Sequence, residues 1–110
     1  MQPEAMARHM PLPAGIHRDT GEVLSLAQTQ ADPTAVADPT SLSDAQKIAL
    51  VGARWRAGEW SDILYGDEGL VDLDRALREL EAQTEIGRHL MAVELRALEM
   101  VHEDAAREGR

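Results

Sequence analysis

The one spacing in the chain that is typical of a metal site is Glu99-Met100-Val101-His102. A Glu-x-x-His pair places a carboxylate and an imidazole one turn apart on one helix face, and di-iron bundle proteins combine such pairs with further Glu residues from facing helices. The chain contains one such pair, so a complete site would need a symmetric second copy to double its ligands. The simpler interpretation is a solvated Glu99–His102 pair. We therefore predict no metal or other cofactor, and keep Glu99 and His102 as the alternative metal ligands.

Other catalytic arrangements have little support in the sequence. The chain has no cysteine, which excludes disulfides, cysteine-ligated metals and thiol catalysis. No pattern places a serine beside a histidine. The turn Gly66-Asp67-Glu68-Gly69 is acidic and would repel a phosphate, and the acidic residues over 62–74 lack the spacing of a calcium loop. We therefore predict that the protein is not an enzyme.

The aromatic residues are the most distinctive candidates for binding. Trp55, Trp60 and Tyr65 lie five residues apart, and the chain has no other aromatic residue of the Phe, Trp or Tyr type. Large rigid aromatic side chains beside arginine, here Arg54 and Arg56, are typical anchors of protein interfaces. They are also the only bulky fillers for a small helical core, and the sequence leaves both roles open.

Composition limits the classes of partner. The chain has 110 residues, with 20 acidic against 11 basic side chains and a formal net charge of −9. This charge disfavours nucleic acid, whose phosphates need a basic face, and it disfavours an anionic membrane surface. No stretch approaches the roughly 20 apolar residues of a membrane span. No early apolar stretch is long enough for a secretory signal, so we expect a cytoplasmic protein.

The chain divides near residue 40. All five prolines lie in the first 39 residues. Each proline removes a backbone donor and restricts the residue before it, so residues 1–40 are predicted to form an extended, Pro-rich arm. Asp19-Thr20-Gly21 is a turn signal within this arm. It is consistent with a small β-hairpin over 16–24, and the alternative is a mobile tail, because an isolated hairpin is marginally stable in water.

Residues 41–110 are predicted to form a helical domain. Ser43 and Gln46 have the spacing of a capping box, in which each side chain satisfies a backbone amide of the other residue. Apolar residues at helical spacing then predict a helix over about 44–57, which ends at Gly58.

Two more helices complete the predicted domain. A short one covers about 59–65, and a long one, capped by Asp72, covers about 72–107. Gly87 in the long helix indicates a kink, a break or a close helix crossing, because glycine costs about 1 kcal/mol in a helix interior. We favour a close crossing on an unbroken helix. The predicted fold class is therefore all-α, a helical hairpin with an extended N-terminal arm.

The long helix supplies the functional hypothesis. From residue 86 onward it is apolar over much of its circumference, and one short helix cannot cover that surface. We therefore predict a non-enzymatic interaction or structural subunit, which self-associates or docks on a larger protein assembly. The predicted partner-binding residues are Trp55, Trp60, Tyr65, Ile86, Leu90, Val93 and Met100.

Two alternatives stay open at this stage. One is a ferritin-like, metal-binding oligomer that uses Glu99 and His102. The other is an acidic regulator that masks a basic surface of its partner, for which binding would depend steeply on salt.

Overall fold

The computed structural model describes residues 3–58 and 60–108, and these residues form a helix-rich fold with two small sheets. The elements, in chain order, are α1 (Pro3–His9), β1 (Pro13–Ile16), β2 (Val23–Ser25), α2 (Leu26–Ala31), α3 (Asp44–Ala57), β3 (Ile63–Leu64), β4 (Leu70–Val71), α4 (Leu73–Ala82) and α5 (Glu85–Glu108). The described chain is 66% helical and has two antiparallel sheets. The predicted all-α class is therefore wrong, because four short strands accompany the helices.

The N-terminal arm is folded rather than extended. Strands β1 and β2 pair antiparallel, with Ile16 opposite Val23. The turn between them is held by His17, whose Nδ1 accepts hydrogen bonds from the backbone N–H groups of Asp19 at 3.1 Å and Thr20 at 3.2 Å. Gly21 completes the turn with a φ of 75°, in the left-handed region that glycine adopts without strain.

The proline-containing segment after α2 lies along this hairpin. Arg18 N donates to Ala35 O and Ala37 N donates to Ile16 O, each at 2.8 Å. These bonds flank a bridge between His17 and Val36. The segment is therefore tied to the hairpin by backbone hydrogen bonds, which the proline count alone did not indicate.

Helix α3 begins where the capping box predicts. Gln46 N donates to Ser43 Oγ at 3.1 Å, and Ser43 N donates to Gln46 Oε1 at 3.0 Å. The helix ends before Gly58, whose backbone N–H still donates to Arg54 O.

The short helix predicted over 59–65 is replaced by a second hairpin. Its first residue, Glu59, lies outside the described residues, and β3 then pairs with β4 across the turn Gly66–Glu68. The turn requires positive φ values at Gly66 and Gly69, which glycine adopts without strain. Because side chains alternate along a strand, Val71 is buried while its neighbour Leu70 is exposed.

The long helix predicted over 72–107 is broken into α4 and α5. Gln83 adopts the left-handed conformation, with φ 53° and ψ 41°, and ends α4. Thr84 then starts α5, because its Oγ1 accepts a hydrogen bond from Gly87 N at 3.1 Å. The preference for an unbroken helix is therefore wrong, and the break lies before Gly87 rather than at it.

Two apolar clusters form the core. One joins α1, the first hairpin and α3 to the C-terminal half of α5; its buried members are Met6, Ala14, Ile16, Leu26, Leu42, Leu50, Leu98, Val101 and Ala105. The other joins α3, β4 and α4 to the first half of α5, through Val51, Trp55, Val71, Ala76, Leu80 and Leu90. The N-terminal arm thus covers the face of α5 that carries Leu98, Val101 and Ala105, whereas α3, β4 and α4 cover Leu90.

Candidate functional site

A groove of about 1100 Å³ runs between the C-terminal half of α5 and the N-terminal residues that face it. Its floor is apolar core, including Ile16, Leu50 and Leu98, which are almost completely buried. One wall is α5, where Ala92, Leu95 and Ala106 line the groove. The opposite wall is made by residues 29–42, among them Pro33, Val36 and Ala37.

The polar residues of the groove lie along its walls. Arg96 and Glu99 pair with each other, with Nη1 and Oε2 2.8 Å apart. Among residues 3–58 and 60–108, Lys47, Asp38 and Glu103 have no ion-pair partner. The groove therefore carries three carboxylates against two cationic side chains, and in the part of the chain that the structure describes two of the carboxylates and the lysine have no ion-pair partner.

The Asp38 carboxyl is held in its charged form by two hydrogen bonds from Thr40. Its Oδ1 accepts hydrogen bonds from Thr40 N at 2.9 Å and from Thr40 Oγ1 at 2.8 Å. The backbone bond first, and the hydroxyl bond second, hold the pKa of the Asp38 carboxyl below its usual value, because both stabilise the charged form. The aspartate therefore contributes a fixed negative charge at the edge of the groove.

Both residues of the Glu-x-x-His pair already have protein partners. His102 Nε2 lies 2.7 Å from Ala14 O, and since a carbonyl only accepts, the ring donates from this nitrogen. Glu99 accepts the hydrogen bond from Arg96. In the part of the chain that the structure describes, no group of three or more His, Asp or Glu side chains could hold a metal ion.

The predicted aromatic anchors lie mainly against the core. Trp55 is 6% exposed and contacts Trp60 edge-to-face, with ring centroids 5.3 Å apart. Tyr65 is half-buried and packs edge-to-face on His89 at 5.8 Å. These contacts pack Trp60 and Tyr65, on either side of β3, against α3 and α5, and both side chains stay partly exposed.

The four predicted binding residues on α5 divide between two faces. Leu90 is buried in the second cluster and Ile86 packs against it. Val93 and Met100 point outward and are 55% and 54% exposed. The structure therefore does not bring the seven predicted partner-binding residues together into one surface.

A second, smaller cavity of about 440 Å³ lies beside Trp60. It is bordered by Arg54 and Glu94, whose Nε and Oε1 atoms are 2.8 Å apart, and Arg54 also donates to Pro13 O at 2.6 Å. Trp60 Nε1 is buried and has no hydrogen-bond partner among the described residues. The ion pair joins α3, α5 and the start of β1, which is a structural role.

No family model, curated protein or solved structure matches this chain. Within residues 3–58 and 60–108, no helix combines the length and the apolar character that crossing a membrane requires.

Sequence reasoning missed the groove because its walls come from distant parts of the chain. The long helix was recognised as apolar over much of its circumference from residue 86 onward, but the facing wall lies largely in the segment treated as an extended arm. Val36 and Ala37, between Pro33 and Pro39, are the signal that was present. Two adjacent apolar residues between prolines indicate a short segment with something to pack against.

Proposed function

We propose that the protein is a non-enzymatic interaction subunit that binds a segment of another protein in the groove between α5 and residues 29–42. The observation that carries this proposal is the size of the groove together with its apolar floor. At about 1100 Å³ it reaches beyond the roughly 300–1,000 Å³ of typical small-molecule pockets. A space of this size suits several side chains of a peptide segment.

The groove replaces the surface inferred from the sequence. Trp55 and Leu90 are buried and stabilise the fold, so they are poor candidates for direct contact with a partner. Val93 and Met100 are exposed one above the other on α5, but single exposed apolar residues are ordinary on protein surfaces. A concave apolar surface is a stronger indication of binding than these two side chains.

The state of the polar side chains favours binding over catalysis. His102 is held by Ala14 O, and Glu99 is held by Arg96. Asp38 and Glu103, the other carboxylates of the groove, lie at its exposed edge, and Asp38 accepts two hydrogen bonds from Thr40. The groove therefore offers an apolar surface with charged edges.

The proposal is tested by selecting peptides on the groove. A library of random 16-residue peptides displayed on phage is selected on the full chain and then counter-selected on Ala106→Trp, which places a large side chain on the groove wall. We expect peptide families that share spaced apolar positions and lose binding on Ala106→Trp. A selection that yields only peptides that bind both proteins equally contradicts the proposal.

The matched control is Ala97→Trp. Ala97 is also exposed on α5 but does not line the groove. A groove-dependent peptide must bind Ala97→Trp as well as it binds the unmodified chain. Loss of binding to both tryptophan variants would show a general effect on α5 and would also contradict the proposal.

A further inference from the structure

We infer that the segment bound in the groove is a basic amphipathic α-helix of a partner protein. This inference rests on the proposed function and adds the conformation and the charge of the partner. It joins three observations about the groove: its dimensions, the two alanines on its α5 wall, and the carboxylates at its edge that lack an ion-pair partner among the described residues.

The dimensions fit a helix. An α-helix with its side chains is about 10 Å across and rises about 5.4 Å per turn, so a volume of 1100 Å³ corresponds to about two to three turns. On the α5 wall, Ala92 and Ala106 expose only a methyl group each at the two ends of the groove, where another helix can approach the α5 backbone, and the exposed charged side chains between them are those of Arg96, Glu99 and Glu103. Helix-in-groove recognition needs an apolar face at i, i+3, i+4 and i+7, and the partly exposed side chains of Val36, Ala37 and Leu95 provide the complementary apolar surface.

The negative charge of the chain and of the groove edge favours a positively charged partner segment. The whole chain carries −9, so a cationic segment is attracted from a distance. At the groove itself, Arg96 is paired with Glu99, and the groups that lack an ion-pair partner among the described residues are two carboxylates, Asp38 and Glu103, against one cation, Lys47, so the unpaired charge is net negative. Lysine or arginine residues flanking an apolar helix face would meet these two carboxylates. Exposed charges at the edge of a binding site contribute mainly to the association rate and to specificity.

A second copy of this chain is a poorer occupant on the same grounds. Two copies would bring together surfaces that each belong to a molecule of charge −9. Like charges placed opposite each other oppose association, so the groove is better matched by a cationic partner.

The test uses three synthetic 18-residue peptides labelled with fluorescein. The first is a Leu/Lys peptide with leucine at i, i+3, i+4 and i+7. The second has the same pattern with glutamate in place of lysine. The third has the composition of the first in a scrambled order that has no apolar face. Binding to the full chain is measured by fluorescence anisotropy at low salt and at 0.5 M NaCl, a concentration at which exposed charges are screened within about 5 Å.

We expect the patterned Leu/Lys peptide to bind at least about tenfold more tightly than either control peptide. Ala106→Trp and Ala92→Trp, which block the groove at two places, should each weaken this binding about tenfold or more, while Ala97→Trp leaves it unchanged. Glu103→Lys should weaken it about threefold at low salt and much less at 0.5 M NaCl, whereas Asp67→Lys, in the β3–β4 turn, should not. Circular dichroism of each variant verifies the fold.

The outcomes separate the two proposals. If the Leu/Glu peptide binds best and both groove-blocking variants abolish its binding, the charge inference is overturned while the proposed function stands. If the scrambled Leu/Lys peptide binds as tightly as the patterned one, attraction is non-specific and the helix inference is overturned. If neither Ala92→Trp nor Ala106→Trp changes any binding, or if the chain alone sediments as a dimer that these variants dissociate, the inference is overturned and the groove has another occupant.

Discussion

Gly87 of α5 packs directly on the backbone of Glu79 in α4. A Cβ atom built on Gly87 would overlap the Glu79 carbonyl group and would lie 2.8 Å from the Leu80 amide nitrogen. Glu79 O also accepts the backbone hydrogen bond of Thr84 at 3.2 Å, so the carbonyl is fixed by the turn between the helices. The two helices can approach this closely only because residue 87 has no side chain.

Gly87→Ala is therefore expected to destabilise the protein, although Gly→Ala in an open helix interior gains about 1 kcal/mol. The clash is with backbone atoms that cannot move aside, and we expect a loss of about 1–3 kcal/mol in the free energy of unfolding, as for other overpacked sites. Urea denaturation measures this loss. The control is Gly52→Ala, whose Cβ would meet the flexible end of Arg56 at 3.3 Å and Leu80 Cδ2 at 3.7 Å. Gly52→Ala should be neutral or stabilising, and equal losses at both positions would contradict this view of the crossing.

The Arg54–Glu94 pair is expected to matter more than any surface ion pair. The Arg54 side chain is 8% exposed, so Glu94→Leu would leave a buried guanidinium without its carboxylate. We expect a loss of about 3 kcal/mol, most of which the double variant Arg54→Met/Glu94→Leu recovers. Glu81→Leu, which breaks the exposed Arg56–Glu81 pair, should cost less than about 1 kcal/mol. If Glu94→Leu and Glu81→Leu lose similar amounts of stability in denaturant titrations, the Arg54–Glu94 pair does not have the structural role described.

The pKa of Asp38 is expected to depend in part on Thr40. The folded-state pKa is lowered, so the two hydrogen bonds stabilise the fold above the usual aspartate pKa, and this contribution is lost as pH falls through the lowered folded value. Thr40→Ala removes the hydroxyl bond but keeps the backbone N–H bond, which is the larger cause. The pKa should therefore rise part of the way to its usual value. Carboxyl ¹³C NMR titration measures it; an unchanged pKa would show that the hydroxyl bond contributes nothing.

Two glutamate substitutions on α5 should differ strongly in their effect on the free energy of unfolding. Leu90 is 6% exposed within the second core cluster, and Leu90→Glu buries a carboxylate among apolar side chains. We expect a loss of at least about 3 kcal/mol. Met100→Glu lies on the outer face and should change stability by no more than about 0.5 kcal/mol. Thermal unfolding compares the two. A folded, stable Leu90→Glu protein would contradict the packing described for α5.

The helical elements were predictable where local chemistry decides them. Ser43 and Gln46 specify the start of α3 through side-chain bonds to the backbone only three residues away, and Asp72 caps α4 by accepting from Arg75 N at 2.8 Å. The break at Gln83 was not predictable in the same way. Neither glycine nor proline marks it, and the left-handed residue costs only about 1–2 kcal/mol, which tertiary packing outweighs.

The N-terminal arm and the groove depend on contacts between distant residues. Ile16 and Leu26 look like isolated apolar residues in the sequence, yet each is buried against the cluster that includes Leu98. Periodicity along one segment reports which face of that segment is apolar, but it does not report which other segment covers it. The apolar surface of α5 was therefore recognised, but the N-terminal segment that covers Leu98 was not.

The most direct measurement is an amide NMR map of the ¹⁵N-labelled chain titrated with the patterned Leu/Lys peptide. The account predicts that the largest shift changes fall on both walls of the groove, over residues 29–37 and 95–106, and disappear in Ala106→Trp. Changes confined to residues 60–71, or spread evenly over the acidic surface and unaffected by Ala106→Trp, would contradict the assignment of the groove as the binding site.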